Sequence, residues 1–360
     1  MKNEFIAPTA PRPPITTNPF ASLENRDEPP VDTPIARTAQ VWSIVLAGGE
    51  GERLRALTER WLGLHRPKQY CTFTGRRSML QHTLARAAQL SNPRQIYVVA
   101  ARHHAPEVWA HLEKDHSRRT IFQPRNCGTA PGVFLPLTHI YSQSPESIVV
   151  LFPSDHFVFP ERTFLGTVRR AVQAAQRQPD KLILMGARPD YPETEFGWIE
   201  PGATVDVVDG QAVRRVMAFR EKPRLALAQR LFDRGALWNT MVMAFRAQTL
   251  WDLGWRCLPE MMSAFDGLRS HFGAESEKEV LQEIYETMPT ADFSSHLVEK
   301  AVSSILVMEL RNVVWSDWGN EARIVETLRR IGKRPSFAAT DSPLECSTDD
   351  TVSAVEELVL

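Results

Sequence analysis

A run of small residues with one arginine, residues 47–54, reads Ala-Gly-Gly-Glu-Gly-Glu-Arg-Leu. Glycine has no Cβ, so such a run can fold tightly and direct backbone N–H groups at a phosphate. Arg53 adds a planar set of donors that suits phosphate oxygens. The spacing matches neither G-x-G-x-x-G nor G-x-x-x-x-G-K-[ST], the patterns of dinucleotide and Walker sites. On the residues alone, a phosphate site and a plain turn stay open as alternatives.

A second cation, Lys68, stands in the segment Arg66-Pro67-Lys68-Gln69-Tyr70. A single lysine is usually a solvated surface charge. This one follows the glycine run by one loop and comes after a proline, which restricts the backbone. Two cations on one loop form a more specific arrangement for a phosphate than either one alone.

Two aspartates follow apolar segments of strand length. Asp155 comes after Ile148–Phe152, and Asp317 comes after Ile305–Leu310 and a brief turn. An aspartate in such a position can simply cap the next helix. Two carboxylates at strand ends can instead share Mg²⁺, which prefers oxygen ligands. His156 is expected to pack beside this site, since imidazole is not the usual magnesium ligand.

The G-x-G-x-R run followed by P-K resembles the sugar-1-phosphate nucleotidyltransferases, and the P-K-Q-aromatic ending is similar to their mannose-1-phosphate guanylyltransferase branch. Further segments resemble that family in the family's order, over roughly residues 41–333. They are Gln123–Pro131 for the base-recognition loop, Phe152–His156 for the metal motif, Glu193–Ile199 for the sugar-facing hairpin, Phe219–Pro223 for F-x-E-K-P, Trp238–Thr240 for W-N-S, and Trp315–Gly319 for the second metal position.

The resemblance implies a role for each matching residue. Arg53, Lys68 and Asp155 would be catalytic, and Asp155 with Asp317 would hold Mg²⁺. The implied nucleotide contacts are Leu46, Ala47, Gly48, Gly49, Gly51, Gln123, Asn126, Gly128 and Thr129. The implied sugar-phosphate contacts are Gly197, Glu221, Lys222 and Asn239. The implied reaction joins a sugar-1-phosphate to the α-phosphorus of a nucleoside triphosphate and releases pyrophosphate.

Several positions depart from the family pattern. Arg55 and Ala56 replace a usual W-P pair, and the loop from Arg53 to Pro67 is longer than the common form. Met241 stands where W-N-S-G has glycine, and Gln123 stands where guanylyl enzymes have glutamate. The resemblance makes mannose-1-phosphate and GTP the first expectation, while Met241 counts against mannose and Gln123 counts against GTP. Glucose-1-phosphate with UTP or dTTP, and a catalytically silent homologue that binds sugar nucleotides, stay open.

Elements that could position these residues alternate along the chain. The strand candidates are Trp42–Leu46, Ile96–Ala100, Thr120–Phe122, Ile148–Phe152 and Leu182–Gly186, and the helix candidates are Met79–Leu90, Ala105–Lys114, Ala130–Tyr141 and Glu161–Gln176. Continuous apolar strands separated by helices predict an α/β fold with a doubly wound, mostly parallel sheet. The resemblance adds that the sheet is Rossmann-like, of a GT-A-like kind, with an inserted sugar-facing β region.

The composition is that of an ordinary globular protein. The chain has 360 residues and a formal net charge of −1, which gives no global field for nucleic acid or an anionic membrane. Four scattered cysteines and the absence of a signal-like or membrane-length apolar run predict a cytoplasmic protein. We expect small-molecule substrates, with a homodimer left open. We also expect a disordered Pro-rich tail at residues 1–40, a nucleotidyltransferase domain at 41–333 and a C-terminal tail at 334–360.

Overall fold

The computed structural model describes residues 40–112 and 119–339. Nearly all of the predicted N-terminal tail, Lys114 of the second predicted helix and residues 340–360 of the predicted C-terminal tail lie outside these residues. Cys71, Cys127 and Cys257 are free thiols. Cys346 also lies outside the described part.

One sheet dominates the described part of the chain, and all five predicted strands belong to it. Its nine strands, in the spatial order β3-β2-β1-β4-β9-β6-β10-β8-β7, are β1 Val41–Leu46, β2 Ile96–Ala101, β3 Thr120–Gln123, β4 Ile148–Pro153, β6 Leu182–Ala187, β7 Gly197–Val208, β8 Gln211–Glu221, β9 Leu237–Arg246 and β10 Ile305–Leu310. The predicted α/β class with a doubly wound, mostly parallel sheet is confirmed.

The strand order defines where a ligand can bind. Strand β1 pairs in parallel with β2 on one side and with β4 on the other. The chain therefore continues from β1 to β2 and β3 on one side, and later returns to place β4 on the other side. The position beside β1 where the strand order reverses is a topological switch point. Ligands of such sheets bind beyond the carboxyl ends of the strands at that point. The glycine run follows β1 and Asp155 follows β4, so the fold delivers both to this place.

Helices cover both faces of the sheet. Along β1, Trp42 and Ile44 belong to one buried cluster while Val41 and Val45 belong to the other, as the alternation of a strand requires. The helices in the described residues are α1 Arg55–Leu62, α2 Met79–Ala87, α3 Ala105–His111, α4 Thr129–Gln143, α5 Glu161–Arg177, α6 Leu225–Asp233, α7 Ala247–Cys257, α8 Pro259–Leu268, α9 Glu277–Thr287 and α10 Glu321–Arg330. Helix α2 begins with a capping box between Ser78 and Gln81.

Four strands of the sheet are absent from the predicted series. Strand β10 pairs in parallel with β6, whereas β7, β8 and β9 pair antiparallel with their neighbours. Strand β9 lies between β4 and β6 and is antiparallel to both. Strands β7 and β8 form a long hairpin whose turn holds Asp209 and Gly210 at positive φ. An Asp-Gly pair with positive φ at both positions is typical of a tight hairpin turn. This hairpin is the inserted β region that the family resemblance implied.

A second, two-stranded sheet was missed at the sequence level. Its strands are β5 Phe157–Phe159 and β11 Val314–Ser316, which pair antiparallel with Ser316 opposite Phe157. The sequence placed Asp317 a brief turn after the apolar segment that forms β10. In the structure, β11 lies between them, and Asp317 follows β11 directly. Strands of three residues carry too little periodicity to stand out in a sequence.

The long segment between the glycine run and Pro67 was predicted as a loop, and this was wrong in part. Its centre is α1, whose start is joined to the 3₁₀ turn Glu52–Leu54. Leu54 and Leu57 are buried in a third cluster that also contains Trp318 and Phe337. The helix therefore connects the glycine run to the segment that carries Asp317. Because Phe337 is part of this cluster, packed structure continues past residue 333.

No helix among the described residues combines the length and apolar character needed to cross a membrane.

Candidate functional site

The glycine run after β1 is held in place by the P-K-Q-Y segment. The Gln69 side-chain amide donates to the carbonyls of Ala47, at 3.1 Å, and Gly49, at 2.8 Å, and the Tyr70 hydroxyl donates to Ala47 at 3.0 Å. Gly51 has a φ of +69°, and a Cβ there would lie 2.9 Å from the backbone nitrogen of Lys68. The turn thus requires glycine at residue 51, both for its backbone angle and for its contact with the lysine segment.

Lys68 is the centre of the charged group. Its side chain is almost fully buried, with its ammonium 2.8 Å from Asp155 Oδ2. The same ammonium donates to the backbone carbonyl of Asp317. Lys68 Nζ therefore contacts both Asp155, which follows β4, and Asp317, which follows β11. Pairing of β5 with β11 is what brings the two aspartates together.

The Asp317 carboxylate is buried and accepts hydrogen bonds at both of its oxygens. Arg53 Nη2 lies 3.0 Å from Oδ2, while Arg323 Nη1 lies 2.9 Å from Oδ1. Oδ1 also accepts from the Gly319 backbone at 3.0 Å. Arg323 in turn donates to Glu193. Of the two guanidinium groups, Arg53 is the accessible one, with 54% of its side chain exposed against 15% for Arg323.

Asp155 differs from Asp317 in its exposure. Its side chain is 36% exposed, and its Oδ1 lies 3.7 Å from His156 Nε2, too far for a hydrogen bond. Burial acts to raise the pKa of Asp155, but the Lys68 ammonium and His156 outweigh it and lower the pKa to about 2. Asp155 is thus held as a carboxylate whose Oδ1 has no side-chain hydrogen bond among the described residues. His156 Nδ1 donates to the Thr240 carbonyl at 3.2 Å, so it packs beside the site as predicted.

The residues predicted to bind the sugar phosphate come together on the antiparallel strands. Gly197 pairs with Glu221 across β7 and β8. A Cβ on Gly197 would lie 2.8 Å from a Glu221 carboxylate oxygen and 3.3 Å from Cβ of Asn239. Lys222 follows with its ammonium 3.5 Å from Glu221 Oε1 and its side chain 58% exposed. Burial raises the pKa of Glu221 against the opposing effect of Lys222.

The position where the family has glycine is occupied by Met241, at a φ of +57°. This left-handed angle is one that glycine adopts freely and that costs other residues roughly 1–2 kcal/mol. The Asn239 side chain accepts from the Met241 nitrogen at 3.1 Å. The backbone at Met241 therefore has an angle that a glycine would adopt without strain.

The residues predicted for base recognition lie beyond β3. Gln123 is buried, with its Nε2 3.5 Å from the place of a Cβ on Gly48, next to the glycine run. The Asn126 side chain accepts from the Gly128 nitrogen at 2.9 Å, which shapes the loop itself. Thr129 donates to Asp292 at 3.0 Å.

Asp292 joins the two groups. Burial acts to raise its pKa, while hydrogen bonds from Ser295 and Thr129, together with the Lys222 charge, lower the pKa overall. Thr129, at the start of α4, and Lys222, after β8, therefore both lower the pKa of the Asp292 carboxyl group. His156 makes a similar link, from the Asp155 side to the β9 backbone at Thr240. These two links connect the segment after β3 and Asp155 with the antiparallel strands that carry Gly197, Glu221 and Asn239.

Sequence reasoning missed the residues that hold the site together. Gln69 and Tyr70 stood in the quoted motif, so their role had a signal in the sequence. Arg323 and Asp292 lay outside every quoted motif and became visible only in three dimensions. Trp238, Trp251 and Trp315, which received no functional role, are buried, whereas Trp255 is 39% exposed.

A family model described as Nucleotidyl transferase matches residues 42–333. Among curated proteins, the xanthan biosynthesis protein XanB of Xanthomonas campestris pv. campestris (strain B100) is 26% identical over 314 residues, covering 86% of this chain and 64% of that protein. The mannose-1-phosphate guanylyltransferase of Salmonella montevideo is 32% identical over 209 residues, covering 57% of this chain and 42% of that protein. The chain therefore spans between 42% and 64% of the lengths of these two relatives.

Two crystal structures resemble the fold. Mannose-1-phosphate geranyltransferase from Thermus thermophilus superimposes with a TM-score of 0.68 at 26% identity, covering 80% of this chain and 79% of that one. Mannose-6-phosphate isomerase from Helicobacter pylori superimposes with a TM-score of 0.59 at 19% identity, covering 77% and 99%. The second likeness shows the fold alone. Together these matches confirm the family resemblance drawn from the motifs.

Proposed function

Because this chain belongs to the nucleotidyl transferase family, we propose that it transfers a nucleotidyl group from a nucleoside triphosphate to a sugar-1-phosphate and releases pyrophosphate. GTP and mannose-1-phosphate are the proposed pair, since the P-K-Q-aromatic segment and two relatives named mannose-1-phosphate guanylyltransferase point to them. The proposal rests above all on the Lys68 ammonium, which contacts both Asp155 and Asp317 beside the glycine run.

Mg²⁺ is the proposed cofactor, and the oxygen donors of the site suit it. Asp155 offers a carboxylate whose Oδ1 has no side-chain hydrogen bond among the described residues. Asp317 offers Oδ2, whose one bonded partner among the described residues is the half-exposed Arg53. Asp155 and, once Arg53 turns away, Asp317 would hold the ion. When bound, Mg²⁺ would neutralise phosphate oxygens and polarise the reacting phosphorus centre.

The protein side of the mechanism is alignment and charge neutralisation. The attacking sugar phosphate already carries its charge, so no protein nucleophile is needed. Arg53 and the glycine backbone, which comprises Gly48, Gly49 and Gly51 with Leu46 and Ala47 before them, would hold the triphosphate. Lys68 would stabilise the charge that builds on the leaving pyrophosphate. Holding two anions in line in this way lowers the barrier through orientation and through preorganised charge.

The sugar-side residues would hold the acceptor. Lys222 presents an exposed ammonium to a phosphate, and the Glu221 carboxylate accepts from paired hydroxyls. Asn239 can donate and accept, while Gly197 leaves space beside Glu221. Gln123, Asn126, Gly128 and Thr129 would shape the base pocket.

The second candidate keeps the reaction and changes the substrates to glucose-1-phosphate with UTP or dTTP. Gln123 favours it, because an amide offers one acceptor and one donor side where a glutamate would accept two N–H bonds from guanine. Met241 favours it as well, because a side chain occupies the place of the family glycine.

A magnesium-dependent assay of pyrophosphate release over a panel of sugar-1-phosphates and nucleoside triphosphates tests the proposal. The expected result is turnover that peaks with mannose-1-phosphate and GTP. A peak with a glucose-1-phosphate pair would replace the substrates and keep the reaction. Nucleotide binding without turnover on any pair would reject the enzymatic proposal in favour of a silent binding homologue.

The matched variant for this assay is Asp155→Asn, which keeps the size of the side chain and removes its charge. It should lose at least about 100-fold in turnover, since each ~1.4 kcal/mol of transition-state stabilisation is about tenfold in rate. Turnover close to that of the unmodified chain would remove Asp155 from the mechanism.

A further inference from the structure

Three potential metal ligands meet beside the glycine run. Glu50 belongs to that run, and His103 and His104 follow β2. Glu50 Oε2 lies 2.9 Å from His103 Nε2 and 3.3 Å from His104 Nε2. The three ligand atoms all lie within 4.8 Å of one another, the one such group of three among residues 40–112 and 119–339.

These distances match the needs of a small tetrahedral cation. Bonds of about 2.0–2.1 Å to histidine nitrogen and carboxylate oxygen place neighbouring ligand atoms about 3.3 Å apart. The Glu50–His104 separation of 3.3 Å equals this value, and the Glu50–His103 separation of 2.9 Å is shorter than it. Two imidazoles and one carboxylate favour zinc and other transition metals, whereas Mg²⁺ prefers oxygen ligands alone. The group is chemically distinct from the Asp155 and Asp317 site.

The surrounding structure fixes two of the three ligands. The His104 ring is buried and packs edge-on against Tyr70, with ring centroids 5.6 Å apart. Its Nδ1 is buried with no hydrogen-bond partner among the described residues, so Nε2 is the ring nitrogen that faces a polar group. The Glu50 backbone carbonyl accepts from His65 Nε2 at 2.9 Å, which holds the residue from its other side.

The third ligand, His103, is exposed to solvent. His103 has 62% of its side chain exposed, and its ring centroid lies 4.2 Å from that of His104. An exposed ring can adjust its angle to an arriving ion. The exposed side also leaves the fourth position of a tetrahedral ion free for water or for an anion.

We propose that Glu50, His103 and His104 bind one divalent transition-metal cation of the zinc class. The ion would tie the glycine run after β1 to the segment after β2. It would thereby stabilise the turn whose backbone is proposed to face the triphosphate. Metal binding at these three residues does not depend on the proposed reaction and can hold or fail independently of it.

The test uses the full chain, freed of metal by a chelator, with Zn²⁺ alone as the probe. Competition against a chromophoric chelator should give one site per chain. His103→Ala should weaken Zn²⁺ binding at least about tenfold, equivalent to ~1.4 kcal/mol. Because His103 is largely exposed, this variant should keep the melting temperature of the metal-free protein.

A matched control comes from the His82–Glu161 pair. His82 Nδ1 lies 3.4 Å from Glu161 Oε1, and this pair belongs to no group of three potential ligands within the described residues. His82→Ala should therefore leave Zn²⁺ affinity unchanged. Co²⁺ gives a second readout, since four-coordinate cobalt with nitrogen ligands absorbs visible light, and this absorption should vanish in His103→Ala.

Three results would overturn the proposal. They are no stoichiometric Zn²⁺ binding to the unmodified chain, equal affinity in His103→Ala, and equal weakening in His82→Ala. Zinc should also raise the melting temperature of the unmodified chain, because a ligand of the folded state stabilises it by mass action. A Zn²⁺-dependent rise of the same size in His103→Ala would contradict the assignment as well.

Discussion

The phosphate side and the sugar side of the candidate site are built in opposite ways. On the phosphate side, Lys68 and Asp317 meet although they are 249 residues apart, and Arg53 and Asp317 are 264 apart. On the sugar side, Glu221 and Lys222 are neighbours in the chain, and Gly197 reaches Glu221 through one hairpin. The first group depends on tertiary structure, and the second depends on local β pairing.

The two sides also differ in how their charges are treated. Lys68 holds Asp155 ionised and lowers its pKa against the effect of burial, whereas burial raises the pKa of Glu221 in spite of Lys222. The phosphate side is therefore a neutralised network in which a cation must exchange one partner for another. The sugar side is a more open arrangement, in which the lysine is paired with Glu221 but keeps 58% of its side chain exposed.

The largest expected effect comes from the buried end of the phosphate-side network. Arg323→Met should lower the free energy of unfolding by roughly 3–5 kcal/mol, because it removes the buried cation that the carboxylates of Glu193 and Asp317 share and leaves Asp317 its bond to the exposed Arg53. Arg53→Met should change it by less than about 1 kcal/mol, since an exposed ion pair contributes little. Urea unfolding of both variants measures the difference. An equal loss of unfolding free energy in the two variants would contradict the prediction that the buried arginine contributes more to stability than the exposed one.

The two lysines provide the next contrast. Lys68→Ala should lower turnover at least about 100-fold, by the same relation between rate and barrier. Lys222→Ala should chiefly raise KM for the sugar-1-phosphate, with the melting temperature close to that of the unmodified chain, because its ammonium is exposed. Steady-state kinetics and thermal unfolding of both variants check this. A similar loss of turnover from both lysines would erase the distinction between the two sides.

Glu221 should make the stability of the protein depend on pH. Its pKa in the folded state is raised above the ordinary value of 4.5. The folded state therefore binds this proton more tightly, so its contribution to stability is present below pH 4.5 and is lost as the pH rises through the raised pKa. Glu221→Gln should remove this loss, so its stability relative to the unmodified chain should increase from pH 4.5 to pH 7.5. A constant difference across that range would contradict the effect of burial.

The smallest effect is expected at Met241. Met241→Gly removes a strained left-handed angle but adds chain entropy to the unfolded state, so stability should change by less than about 1 kcal/mol. Met243→Gly, on the same strand but fully buried, should lose at least about 2 kcal/mol through the cavity it leaves. Chemical unfolding compares the two variants. If Met241 restricts the sugar pocket, Met241→Gly should also bind a wider range of sugar-1-phosphates.

Much of the fold could be predicted because its signals are local. The five predicted strands are continuous apolar runs, and each belongs to the main sheet within about one residue of its predicted ends. The predicted helix ends were less accurate. Helix α2 stops at Ala87 where Leu90 was predicted, because periodicity locates a helix better than its last turn. Strands β7, β8 and β9 are long, but polar residues interrupt their apolar ones, so periodicity did not place them.

The sequence by itself determined which residue types the site contains: a glycine turn, two lysines, two aspartates and a carboxamide, each next to a strand or hairpin end. Tertiary structure alone decided their partners. Asp317 reaches Lys68 because β11 pairs with β5, and His103 and His104 reach Glu50 because β2 lies beside β1. Hydrogen bonds and charges act over a few ångströms in space, and sequence distance carries no information about which distant residues the sheet will place that close.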